Sequence, residues 1–177
     1  MQHIAHLVHE ALPASLALEQ MRVLKREASR AIVTRDDNIL LLYTERYDDF
    51  SFPGGGIDAG ESPEVGLHRE LHEETGAQDI EVTSHFGYVT EYSPTWKKQW
   101  DVMFQTSHWF TCQIGNTLGE AKMEDYETAN GMAARWVSLE EALRHNRSVI
   151  ARKPATMGLS IHRETLVLER VAAAQGR

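Results

Sequence analysis

A glycine loop that runs directly into a short helix loaded with carboxylates constrains this chain more than any other feature. Phe52-Pro53-Gly54-Gly55-Gly56 is followed by Glu61, and Ser62-Pro63 then opens a segment carrying Arg69-Glu70-Leu71 and Glu73-Glu74 before Gly76. Ser62 suits an N-cap, and Pro63 suits the first helical position, where its missing N–H costs nothing. Gly76 suits the stop. Within that helix Glu70, Glu73 and Glu74 stand at i, i+3 and i+4, so their side chains share an arc of about 100°. Three like charges on one face repel, each i,i+4 pair costing a few tenths of a kcal/mol. Water can screen such a face, or a cation can sit on it.

The rest of the composition bounds what the loop and helix can serve. At 177 residues the chain is long enough for one domain with a substantial core. Its formal charge of −8 argues against a surface that coats nucleic acid, since phosphate binding needs clustered Lys and Arg. A metal on the acidic helix would reverse that sign locally. Cys112 is the single cysteine, so an intramolecular disulfide and a four-cysteine zinc site are excluded. Its flanks predict a strand and a buried, inert thiol. The first Lys or Arg is Arg22, and His3, His6, His9 and Glu10 interrupt the N-terminus, which is wrong for a signal peptide. No run approaches 18 apolar residues. A cytoplasmic protein with no membrane partner is expected.

Taken in order, Ile4, Leu7, Val8, Ala11 and Leu12 stand at helical spacing and predict a short amphipathic helix within residues 1–20, with the histidines as its polar edge. Ala31-Ile32-Val33 and Ile39 to Tyr43, joined by Asp36-Asp37-Asn38, predict a hairpin. Residues 79–92 and 101–114 are rich in β-branched and aromatic residues and predict strands, separated by a loop with Trp96, Lys97, Lys98 and Trp100. Residues 115–130 are polar and irregular. A last strand at 133–137 leads to Ser138-Leu139-Glu140-Glu141, a capping box opening a helix to about Arg144, and residues 159–174 read as a further helix. Strands, a helix, strands and helices on a mixed sheet make a layered α/β domain. A division into an N-terminal helical extension (1–24), a central domain (25–146) and a C-terminal helical extension packed on it (147–177) is expected.

The spacing of Gly55, Glu61, Arg69-Glu70-Leu71, Glu73-Glu74 and Gly76 resembles the Nudix box, GX5EX7REUXEEXGU with U aliphatic. Every position matches except the last, where Ala77 replaces the usual larger aliphatic residue. The resemblance implies a Nudix-type α-β-α sandwich and a metal-dependent pyrophosphohydrolase acting on a nucleoside diphosphate linked to another moiety. Glu70, Glu73 and Glu74 would bind Mg²⁺, or Mn²⁺, with the carbonyl of Gly54 or Gly55 completing the shell. Mg²⁺ is hard, takes oxygen ligands and keeps several waters, which suits carboxylates on one helix. His68 and His72 at i,i+4 lack the glutamate placement of a zinc motif. Arg69 and Glu61 would pair and brace the loop, with Gly55 and Gly76 supporting it. A further glutamate from a later loop is expected as ligand or base: Glu127, Glu124 and Glu120 are the candidates, Glu127 preferred for lying closest to the last strand. The general base is then Glu70 or the loop glutamate.

Substrate recognition must come from outside the box. Trp96, Trp100 or Tyr92 offers a ring to a base, and Arg46, Lys97 or Lys98 a charge to phosphate. The expected partner is a small nucleotide-type molecule, with no nucleic acid and with a homodimer left open. The competing reading is a nucleotide-binding module that senses without turnover, although such modules tend to lose box carboxylates and this chain keeps them all.

Overall fold

The computed structural model describes residues 2–13 and 15–176. Strand β2 (Val23–Arg35), 13 residues long, is its spine. From Val23 to Val33 it pairs in parallel with β6 (Val102–Gln113), and its last two residues turn back on β3 (Asn38–Thr44) as the expected hairpin. β6 continues antiparallel to β5 (Glu81–Ser93), and β5 is flanked in parallel by β1 (His3–Val8). On the other side β3 pairs antiparallel with β4 (Asp49–Ser51) and β7 (Met132–Ser138). The result is a mixed 7-stranded sheet.

Alternation along β2 divides the core in two. Ala31 and Val33 join Leu40, Leu67, Leu71, Phe110 and Cys112 under α1 (Pro63–Thr75). Ile32 points the other way, into a cluster with Trp109, Val167, Leu168 and Val171 beneath α3 (Leu139–Arg152) and α4 (Ile161–Ala174). Helices on both faces of one sheet make the expected α-β-α sandwich. Ala77 is fully buried in the α1 cluster, so the departure from the box pattern is filled by neighbouring side chains and leaves the helix stop intact. The Cys112 thiol is buried and its pKa pushed up to about 12 by that burial. No helix among the described residues is long and apolar enough to cross a membrane.

Two expectations are corrected. Residues 3–8 are a strand, not part of a helix; Met1 and Ala14, also within the expected helical span, lie outside the described residues. The open edge of β5 offers a row of backbone partners that outweighs the 3.6-residue spacing. A register shift between His3 and Ala5 sets His3 against Tyr88, with ring centroids 5.0 Å apart, and His6 against Thr90, while Ile4, Ala5 and Leu7 pack on the larger cluster. The helix opened by Ser138 does not stop near Arg144. Its buried stripe of Leu139, Ala142, Leu143, Asn146 and Val149 continues to Arg152, where Lys153 takes a left-handed conformation before Pro154.

Candidate functional site

Helix α1 begins and ends as its sequence signals predict: Ser62 Oγ accepts from the Val65 N–H, Pro63 is the first residue, and Gly76 stops it at φ 71°. The glycine loop is laid along β2, with Ala31 N–H donating to Pro53 C=O at 2.8 Å and Ser29 N–H to Gly55 C=O at 3.0 Å. Gly54 has φ 131°, and a Cβ there would lie 2.1 Å from Ser29 O, so no other residue fits. Glu74 on α1, 4% exposed, accepts the Gly54 N–H and ties helix to loop.

The polar stretch after β6 closes the site from the far side. Gly119 N–H donates to Gly76 C=O and Lys122 N–H to Glu73 C=O, each at 2.7 Å, which satisfies carbonyls at the end of α1 and carries the short α2 (Asp125–Ala129) to its acidic face. Glu127 on α2, 5% exposed, accepts from Glu124 N–H at 2.8 Å and Tyr126 O–H at 3.0 Å. Glu70, Glu74, Glu127 and Glu124 line one cavity of about 410 Å³ together with Gly54, Gly55, Asp49, Arg26, Arg30 and Arg69. Glu73 is more exposed and stands outside that lining, and Glu120 is exposed.

Burial pushes the Glu74 carboxyl well above the usual carboxylate range, and Glu70 and Glu127 push it further; burial also raises Glu70, with Glu127 and Glu73 adding to the shift. Arg69 opposes this at Glu70, where Nη1 donates to Oε1 at 2.7 Å. Its other face grips Glu61 in a two-pronged pair, Nε to Oε1 at 3.0 Å and Nη2 to Oε2 at 2.9 Å, and reaches Gly56 C=O at 3.2 Å. That pair and the Asp58 N–H hold Glu61 down to about 2. Arg69 and Glu61 thus link the glycine loop to α1.

No three His, Cys, Asp or Glu side chains among the described residues form a ready metal cage. The residues nonetheless fit a hard cation that keeps waters or substrate oxygens. All the donors are oxygens, and beyond burial itself the neighbouring carboxylates raise the proton affinity of Glu74 and of Glu70. Glu74 and Glu127 would hold the cation, with Gly54 C=O, which now accepts from Arg30 Nη1 at 2.9 Å, and Glu70 stands beside them in the same cavity. Gly55 C=O is engaged by β2. Zinc through His72 has no such support, since its Nδ1 lies 2.9 Å from the Ala77 carbonyl oxygen.

Of the residues expected to meet substrate, Trp96 lines a second cavity of about 420 Å³ that shares Arg26, Arg30, Tyr47, Tyr126 and Ser160 with the first. Arg46 is bonded to Asn130 and lines neither cavity, nor does Lys97. Sequence reading passed over Arg26, Arg30, Tyr47 and Ser160. One signal was present: Arg26, Ala28 and Arg30 alternate along a strand, so two arginines share a face with a fully buried alanine.

A NUDIX domain model matches residues 24–156. The RNA pyrophosphohydrolase of Proteus mirabilis (strain HI4320) is 32% identical over 107 residues, 55% of this chain and 61% of that protein. That of Vibrio atlanticus (strain LGP32) is 30% identical over 116 residues, 60% of this chain and 67% of that protein. A solved NUDIX hydrolase from Nitrosomonas europaea superposes with a TM-score of 0.50 at 18% identity, over 70% of this chain and 78% of that one, and shares the fold. With the family model spanning most of the chain and Glu70 and Glu74 of its box lining one cavity, the protein belongs to the Nudix hydrolase family.

Proposed function

We propose that the protein hydrolyses the diphosphate bond of a nucleoside diphosphate linked to another moiety, with Mg²⁺ or Mn²⁺. One observation carries this reading: Glu70 and Glu74 from the box and Glu127, more than fifty residues later, line a single cavity against a glycine loop. A divalent cation there supplies charge neutralisation on phosphoryl oxygens and an acidified water. Glu74, Glu127 and Gly54 C=O would hold it, with the more exposed Glu73 at the rim. Glu70 is the base: burial lifts its pKa above the ordinary value, which brings it nearer the operating pH, while Arg69 orients the carboxyl. Glu127 is less suited to that role because its oxygens already accept from a backbone N–H and a phenol.

Purified protein with Mg²⁺ should release a phosphate-containing product from at least one of sugar nucleotides, ADP-ribose and dinucleoside polyphosphates. An RNA belongs in the same screen, since the relatives are named RNA pyrophosphohydrolases. Silence across that screen, with tight nucleotide binding indifferent to Mg²⁺, would replace the reading by the sensor.

A further inference from the structure

Three guanidinium groups meet where the two cavities join, and only two of them are neutralised. Arg163, 4% exposed, donates to Glu91 Oε1 at 2.7 Å and to Glu164 Oε1 at 2.9 Å. Arg30 pairs with the same Glu164 at 3.3 Å. Those two carboxylates, both buried, are thereby committed. Arg26 has no ion pair among the described residues. Among the described residues its guanidinium donates one hydrogen bond, from Nη1 to Gln105 Oε1 at 3.0 Å, and Gln105 is fixed in turn by donating to Ser107 Oγ at 2.8 Å. A partly buried cation beside two others, without an anion, is costly. Burial, Arg30 and Arg163 accordingly lower its proton affinity.

The position of this unpaired group is specific. Its guanidinium packs on Gly56 of the glycine loop, where an added Cβ would meet Nη2 at 2.9 Å, so it borders the acidic cavity. On the other side its Cζ lies 5.8 Å from the centroid of the exposed Trp96 ring. Trp96, Tyr47 and Tyr126 line the second cavity together with Met103 and Met157, whose flexible side chains adapt to flat ligands. Ser160, which precedes the 14-residue α4, lines both cavities, so the positive end of that helix lies at the same mouth.

We infer that Arg26 binds a phosphate of the substrate adjoining the bond that is cut, and that the second cavity takes a nucleobase stacked on Trp96. The substrate class is then a nucleotide whose base enters beside residues 157–160 while its diphosphate spans Arg26 and the acidic wall. This rests on the hydrolase reading for which bond is cut, but not for the binding itself.

The test uses α,β-methylene-ADP, which cannot be hydrolysed at that bond, and methylenediphosphonate, its base-free counterpart, titrated calorimetrically with Mg²⁺ into the full chain. Arg26→Gln should weaken both probes roughly 10- to 100-fold, the range for hydrogen bonds to a charged group. Trp96→Ala should weaken the nucleotide roughly tenfold and leave the diphosphonate unchanged. Should Arg26→Gln fail to fold, Arg26→Lys replaces it, keeping charge without the fork and losing about tenfold. Unchanged affinities in the Arg26 variant, or equal effects of Trp96→Ala on the two probes, overturn the inference. Turnover in the substrate screen with unchanged affinities would remove this inference alone; both expected losses without turnover would remove the hydrolase reading alone.

Discussion

The acidic and basic walls of the paired cavities handle buried charge in opposite ways. On the acidic wall Glu70 and Glu127 add to the burial that raises the proton affinity of Glu74, and Arg69, which pairs with Glu70, is shared with Glu61. On the basic wall Arg163 and Arg30 share Glu164, and Arg163 also takes Glu91. The first arrangement is poised for a cation from outside; the Arg30, Arg163, Glu91 and Glu164 set is balanced by itself, with Arg26 beside it lacking an ion pair among the described residues. Function is therefore expected to reside mainly in one wall and stability in the other.

Glu74→Gln breaks the comparison most sharply. The amide can still accept the Gly54 N–H, so the fold should persist with an unchanged or raised Tm, while on the proposed reading a cation ligand worth several kcal/mol in the transition state would be lost and kcat should fall roughly 10³-fold. A variant with near-normal turnover would show the acidic wall to be dispensable. Arg163→Met strands the buried Glu91 and leaves Glu164 to Arg30 alone, and urea unfolding should register a loss of about 3–5 kcal/mol. A loss below about 1 kcal/mol would show that the basic wall is not held by its ion pairs.

Asp49 gives the smallest and most diagnostic effect. It lines the acidic cavity, 3% exposed, and burial together with Glu164 and Asp48 raises its pKa from 3.8 to about 7. Between those values the folded chain holds a proton that the unfolded chain has released, so this group makes stability fall as pH rises from about 4 to about 7. Discounted for water in the cavity, the slope should total roughly 2 kcal/mol. Asp49→Asn should remove it, as measured by urea midpoints across that window. An unaltered pH profile would place the charge penalty elsewhere.

Helix α1 was legible because its determinants are local: a cap, a proline, an i,i+3,i+4 set and a glycine all act within fifteen residues. The β2–β3 hairpin was legible for the same reason. Strand β1 was not, since Ile4, Leu7 and Val8 satisfy a helical period and only the free edge of β5, some eighty residues away, decides otherwise. Glu127 could be chosen among three glutamates only by its nearness to a strand, whereas its place beside Glu70 and Glu74 depends on backbone bonds from Gly119 and Lys122 to α1. Arg26 and Arg30 drew no reading, because their role depends on α4 and the loop before it, which meet them across the second cavity. The Trp96 ring was identifiable by type alone, but Arg46 and Lys97, drawn from the same loops-and-charges logic, lie outside both cavities.

Glu164 also accepts the Phe52 N–H at 3.1 Å, two residues ahead of Gly54. The strand end that launches the glycine loop is thus moored to a helix at the far end of the chain. Loosening α4 would slacken the loop without touching a single box residue, and the protection of the Phe52 amide against deuterium exchange would rise and fall with the docking of that helix. A chain shortened before Ile161 would keep every box residue and lose the anchor that holds the loop taut.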